Sequence, residues 1–353
     1  MSEKKVSMFP VTKEICAVAR FNYLLRGNIL SEILAPDFLK LGGKDISSVD
    51  GGTATDIKIV DYDKKALKNC DVLYVDYDEN LNNLDIYREV IDDAKMLGSE
   101  LLLSDELACL LYPMRIDESQ TNVKPTILEC LYDITIPVIT VFTQGARTDQ
   151  FAVELALRNY FLQEGYHISQ IGSQIISHFF GFAALSSYIS QTKDTYEKIL
   201  SFNHAVKDII EKEKSELLIL GVAEPLLKYN NQIPQSMGIL PFIVANAVRS
   251  DISILCSYLA PYKKQFFSEM KKHGKYRLDG PIEFFNISNT SLFVEPVTSK
   301  FEYIDLDTDF VLKTMGNDIE NGEYCLFNVL NAESFSEACK AIHGTLTNNV
   351  RSV

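Results

Sequence analysis

The stretch Val138–Leu157, VITVFTQGARTDQFAVELAL, constrains the fold of this chain more than any other. A run of apolar and β-branched residues, Ile134–Phe142, has the length and composition of a buried strand. A glycine-bearing turn follows. Then Val153, Ala156, Leu157, Tyr160 and Phe161 recur at i, i+3, i+4, i+7 and i+8, one face of a helix over Phe151–Gln163, with Gly165 where a helix stop belongs. The same rhythm of strand and helix recurs along most of the chain. Such alternation calls for parallel sheets with helical crossovers.

In the first part, Glu14–Ala19 reads as a buried strand and Phe21–Leu34 as a helix carrying Leu24, Leu25, Ile29 and Ile33. Ile57–Val60, Asp71–Asp76 and Glu100–Ser104 read as strands, with helices at Asp63–Asn69 and Leu84–Leu97. Pro113–Pro125 is polar and bracketed by prolines, the composition of a connection. A second series follows with strands at His167–Ile171, Leu217–Leu220 and Ile252–Cys256 and helices at 194–214 and 239–248. From Pro281 onward, 11 acids face four Lys/Arg, and the strand-like runs Ile282–Ile287, Phe301–Leu306 and Tyr324–Val329 precede a helix at Ser334–Leu346. The expected architecture is α/β: two tandem doubly wound parallel-sheet domains with a small α+β appendage. The boundaries are a Rossmann-like domain over 1–112, a linker over 113–126, a P-loop-like domain over 127–280 and an acidic region over 281–353.

Charge narrows the function classes. Lys and Arg number 34 against 48 Asp and Glu, a formal −14, so a nucleic-acid-binding role is not expected. No apolar run reaches the ~18–20 residues of a membrane helix, and MSEKKVSMFP carries no apolar segment of a secretory signal. Seven scattered cysteines without a CxxC pair give neither a disulfide framework nor a zinc site. The expected location is the cytoplasm. No GxSxG or HExxH is present, and no metal site is expected.

Three segments carry candidate chemistry. Strand, glycine turn and helix is the layout of a phosphate-binding loop, in which backbone N–H groups at a helix start face an anion. A lysine then reaches the β- and γ-phosphates and a Ser/Thr hydroxyl binds Mg²⁺. With the pattern G-x-x-x-x-G-K-S/T laid on the helix start, Thr143 takes the first glycine position, Asp149 the second, Gln150 the lysine and Phe151 the hydroxyl. Gly145 is permissive, Arg147 offers a cation and Asp149 places negative charge where phosphate would sit. Thr143, Gly145, Arg147, Thr148 and Gln150 are therefore the anion- or nucleotide-binding candidates of a scaffold read as having lost triphosphate hydrolysis. The second segment is the loop with Gly42, Gly43, Lys44, Asp45, Asp50, Gly51 and Gly52, whose glycines permit close backbone approach. The third is YKKQFFSEMKKHGKYR (Tyr262–Arg277), six Lys/Arg against one Glu. Within it Lys263, Lys264, Lys271, Lys272 and Arg277, with Phe267 as an apolar anchor, are candidates for docking an acidic partner.

The segments GGKDISSVDGG, PVITVFTQGARTDQFAVELALRNYFLQEGYHISQIGSQ, FFGF, ILSFNHAVKDII and LLILGVAEPLL, together with MGILPFIVANAVRSDISILC, resemble the peptide maturation system proteins. Proteins of that family are encoded beside a radical-SAM maturase and a bacteriocin-like precursor peptide. The similarity runs in order over most of the chain, although Thr143 and Gln150 depart from the family's loop. The resemblance implies an accessory role in making a ribosomally synthesised, post-translationally modified peptide. The expected partners are the precursor peptide, the radical-SAM maturase or both, with homo- or hetero-oligomers compatible with that role. No cofactor is expected on this reading. The rival is a P-loop-like ligase or kinase that uses ATP and Mg²⁺ on the peptide, and a third reading is a small-molecule sensor using the cleft between the sheets.

Overall fold

The computed structural model describes residues 3–81, 83–113, 130–189, 193–295, 300–316 and 324–350. The first part contains β1 (Lys4–Phe9), α1 (Lys13–Arg20), β2 (Asn28–Ala35), α2 (Ser47–Asp50), β3 (Ile59–Asp61), β4 (Val72–Val75), α3 (Leu84–Leu97), β5 (Glu100–Leu103) and α4 (Asp105–Leu111). Its five strands lie in the order β3-β2-β1-β4-β5, and every pairing is parallel.

The second part begins with β6 (Val138–Thr143), α5 (Gln150–Gln163), β7 (Ile168–Ile171), α6 (Thr195–Glu213), β8 (Leu217–Pro225), α7 (Ile239–Ala247) and β9 (Ile252–Ser257). It continues through α8 (Lys264–Arg277), β10 (Ile282–Ile287), β11 (Thr290–Val294), β12 (Phe301–Asp305), α9 (Thr308–Gly316), β13 (Cys325–Phe327) and α10 (Ala332–Val350). Six parallel strands run β13-β10-β9-β6-β8-β7, while β11 and β12 form an antiparallel pair. The α/β class with two parallel sheets and a small antiparallel element therefore holds. Residues from 281 onward supply that pair and also give β10 and β13 to the second sheet, because β10 is buried along nearly its whole length. The expected 113–126 linker lies, from 114 onward, outside the described residues.

Two expected elements are exchanged. Glu14–Ala19 belongs to helix α1, not to a strand. Thr12 accepts the N–H of Ile15 and starts the helix, and Ile15 to Ala19 are all buried. In this eight-residue helix the polar Lys13, Glu14 and Arg20 stand only at the two ends, and the five-residue apolar run between them is too short to be told from a buried strand by its period. Phe21–Leu34, expected to be helical, is instead a short 3-10 turn and the strand β2. Gly27 stands between them at φ +67°, which ends any continuing helix. The central strand β1, with Val6, Met8 and Phe9 fully buried, is missing from the sequence reading.

The two sheets share a core. Val6, Met8, Ile15 and Val18 of the first part pack in one cluster with Val141, Phe151, Leu155 and Ile342 of the second. In the first sheet the chain works outward from β1 through β2 to β3, then crosses back to β4 on the other side. In the second it leaves β6 for β7 and β8, then returns to β9 across β6. Such reversal points open a crevice at the strand C-terminal ends, where α/β proteins hold ligands.

Candidate functional site

The turn from β6 to α5 packs its own polar groups inward. The Thr143 hydroxyl accepts the Gly145 N–H at 3.0 Å and shares a 2.6 Å hydrogen bond with the Thr148 hydroxyl. Gly145 is required because a Cβ there would stand 2.2 Å from the Tyr258 hydroxyl, which donates to the Ala146 carbonyl at 2.9 Å. Arg147 and Asp149 both take left-handed backbone, φ +60° and +58°. Gln150, at the position of the phosphate-binding lysine, is buried. Its Nε2 donates to the carbonyls of Val141 and Val222, both at 2.9 Å, and ties β6 to β8.

The first part of the chain closes this turn. The Thr12 that starts α1 donates its hydroxyl to Asp76, beyond the end of β4, at 2.7 Å. The next residue, Lys13, is 1% exposed at its side chain and sends Nζ to Asp149 at 3.2 Å and to Asp305 at 3.6 Å. Asn289 donates its N–H to the other Asp149 oxygen at 2.9 Å, and its side-chain amide to the Asp50 carbonyl at 3.1 Å. Arg147 donates to Asp305 at 2.7 Å, lies 3.8 Å from Asp78 and sits over the Tyr303 ring at 5.6 Å. The start of α5 is thus occupied by a carboxylate of the chain, and the two nearest cations are engaged by carboxylates of the chain.

Burial dominates the electrostatics. Asp149 is pushed above the usual carboxylate range by desolvation, with Lys13 opposing. Glu14 and Asp76 are both raised, chiefly by burial; for Glu14 the Asp76 charge adds to it, and for Asp76 a hydrogen bond from Thr12 opposes it. Glu79 is pushed up to about 7 by desolvation, with Arg147 pulling it down and Glu106 pushing it further up. One turn along α5, Glu154 is fully buried and reaches about 8. Glu14, Asp76, Glu79 and Glu154 thus exchange protons in the range around neutral pH. Among the described residues, no group of three or more His, Cys, Asp or Glu is arranged to hold a metal ion.

The structure brings Thr143, Gly145, Arg147, Thr148 and Gln150 into this one turn, and Asn289 links it to Asp50. Asp50 is buried and takes a two-bond contact from Arg20 at 2.6 and 2.8 Å. Gly51 lies against the Leu306 carbonyl, and Gly52 donates its N–H to Asp50. Gly42, Gly43, Lys44 and Asp45 stand apart in the outer half of that loop. There Gly42 donates to Asp61, and Asp45 accepts from the N–H groups of Ser47 and Thr55. The basic island is helix α8, with Lys263, Lys264, Lys272 and Arg277 exposed and Lys271 paired with Glu283 at 2.6 Å. Phe267 is a correction: it is no docking anchor but a core residue, 5% exposed, stacked on Tyr324 at 4.5 Å and edge-on to Phe285 at 4.9 Å.

The sequence reading missed Lys13, Glu14, Asp76, Asp78, Glu79, Tyr258, Asn289 and Asp305. The one available signal was the TKE triplet ahead of an apolar run, a helix start with Thr12 as its cap.

No helix among the described residues is long and apolar enough to cross a membrane. No family model matches the chain, and no curated protein matches it. Among solved structures, the crystal structure of a DUF1611 family protein from Anabaena variabilis is similar, with 12% identity and a TM-score of 0.57. The match covers 96% of this chain and 99% of that one. A pseudomurein peptide ligase type C from Methanothermus fervidus aligns over 84% of this chain and 53% of its own at 11% identity, with a TM-score of 0.27, too low for a shared fold. What the comparisons show is a fold: this chain has the two-sheet α/β architecture of the DUF1611 protein over nearly its whole length.

Proposed function

We propose that this chain is a non-hydrolytic accessory protein in the maturation of a ribosomally synthesised, modified peptide, and that it binds the precursor peptide, the radical-SAM maturase or both. The observation that carries the non-hydrolytic part is the Asp149 carboxylate seated at the start of α5 and held by Lys13. A triphosphate arriving there would meet a repulsion on the order of 1–4 kcal/mol per charge pair at ~4 Å. It would find Gln150 committed to two backbone carbonyls in place of the lysine that neutralises β/γ charge. The peptide-maturation part rests on the sequence resemblance, and the exposed lysines of α8 are the proposed contact for an acidic partner.

The second reading, an ATP-dependent ligase or kinase, is favoured by the position of the turn. It follows the strand at which the second sheet reverses direction. Calorimetry with Mg-ATP, a turnover assay and co-purification with the precursor peptide and the maturase separate the two. The accessory reading expects no turnover above background and capture of at least one partner. Micromolar Mg-ATP binding that is lost in a folded Gly145→Asp variant favours the ligase or kinase.

A further inference from the structure

We infer that a basic site where the turn before β2 meets α5 and β7 binds a phosphate group, free or as a small monoester. Its deepest member is Arg158 of α5, 5% exposed. Among the described residues no carboxylate pairs with this guanidinium. Its hydrogen bond runs from Nη1 to the Gln170 Oε1 of β7 at 3.4 Å, and it lies over the Phe182 ring at 5.0 Å. A buried charge without a counter-charge is costly, and an anion relieves that cost.

A second cation stands beside the first. Arg26 donates its N–H to the Phe179 carbonyl at 2.9 Å, and its side chain crosses Gly181, where a Cβ would stand 2.7 Å from its Cδ. The FFGF segment thus carries Arg26 across its glycine and Arg158 on its last ring. Burial lowers the Arg158 pKa to about 10, and the Arg26 charge adds to the effect. Arg26 is exposed, so the site opens to solvent on its side.

The neighbouring acids are engaged elsewhere. Glu154, one turn back on α5, accepts the Ser173 N–H at 3.0 Å, and burial lets it keep its proton to about pH 8. Glu213 opposes the pull of Arg26 on Arg158, but its carboxylate accepts from Ser169. Successive strand residues face opposite sides, so Ser169 and Gln170 hold Glu213 and Arg158 on opposite faces of β7. Beside Arg158 stands one more donor. Gln170 turns Oε1 to the guanidinium, and its buried Nε2 has no partner among the described residues. Two guanidiniums and an amide N–H suit a dianion with several oxygens, whereas a monocarboxylate balances only one of the two cations. Arg26 belongs to the first part of the chain and Arg158 to the second, so a bound phosphate joins the two and stabilises the fold by mass action. The site lies about two turns along α5 from the β6–α5 turn. Gly145→Asp leaves both arginines in place, and so separates heat at this site from binding at the turn.

The test uses the full chain in a phosphate-free buffer, read by calorimetry and thermal melting. Inorganic phosphate and phenyl phosphate are the probes, with acetate at matched ionic strength as the comparison. Arg158→Gln removes the buried charge, and Arg26→Gln changes only an exposed side chain, so the second variant decides the matter if the first does not fold. Circular dichroism checks the folding of both. The expected result is saturable phosphate binding that raises the melting temperature. Acetate should bind roughly tenfold or more weakly, and each folded variant should lose roughly tenfold or more in phosphate affinity, as for a lost charge-assisted hydrogen bond. Phenyl phosphate binding as tightly as phosphate supports a site for a phosphorylated ligand, and its exclusion supports a site for free phosphate. No saturable phosphate binding, equal binding of acetate, or undiminished phosphate binding by folded Arg26→Gln each overturns the proposal.

Discussion

At the scale of residues, the centre of the molecule is an ion pair between groups 136 positions apart, Lys13 and Asp149. Both are buried, so removing one partner leaves an uncompensated charge. Lys13→Met should cost about 3–5 kcal/mol, read as a lowered urea midpoint. The double variant Lys13→Met with Asp149→Asn should recover much of that loss, and a double variant no better than the single one would refute the pairing. Glu154 gives a second residue-scale prediction. Its carboxyl stays protonated to about pH 8 when folded, whereas a free glutamate loses its proton near 4.5. The folded state therefore binds more protons than the unfolded state across that window, and stability falls as pH rises from about 4.5 to 8. At ~1.4 kcal/mol per pKa unit, the loss is on the order of a few kcal/mol. Glu154→Gln should flatten the fall, and urea titrations of both proteins between pH 5 and 9 check it. Gln150 and Asp149 were legible in the sequence as departures from a phosphate loop. Lys13 was not, because nothing local marks a contact over that separation.

At the scale of elements, the reading placed the two longer helices, α3 with its separate buried and exposed faces and α5, buried on all sides from Gln150 to Arg158. Leu84–Leu97 and Phe151–Gln163 fall within a residue of α3 and α5. It failed for α1, whose apolar run Ile15–Ala19 is only five residues long, and for β2, whose first half alternates too weakly to outweigh its leucines and isoleucines. Helix α8 is the mixed case: the basic run was visible, but which aromatic faces the core follows from packing against β10 and Tyr324. On the proposed docking role, the variant carrying Lys263→Glu, Lys264→Glu, Lys271→Glu and Lys272→Glu should lose its acidic partner while remaining folded. Wild-type binding should weaken with salt, since the Debye length falls from ~10 Å at 0.1 M to ~3 Å at 1 M. Interferometry at two salt concentrations, with circular dichroism as control, reads both effects. Undiminished low-salt binding by the reversed variant makes α8 a solvated face.

At the scale of the whole molecule, two sheets that the sequence separates by a proline-bracketed stretch meet through α1 and α5. Their shared cluster runs from Val6 to Leu346. The class and the two parallel sheets were readable from the alternation. The meeting of their strand ends was not, because it depends on tertiary contacts such as Arg147 with Asp305 and Asn289 with Asp50. A core of this kind predicts one cooperative urea transition reported alike by probes in both parts, and two separated transitions would contradict it. The most direct test of the central claim, that the β6–α5 turn is closed by its own charges and not built for a triphosphate, is calorimetry of the wild-type chain with Mg-ATP beside a turnover assay. The account predicts no saturable heat at micromolar nucleotide and no phosphate release above background. Micromolar binding with turnover that disappears in folded Gly145→Asp would contradict it.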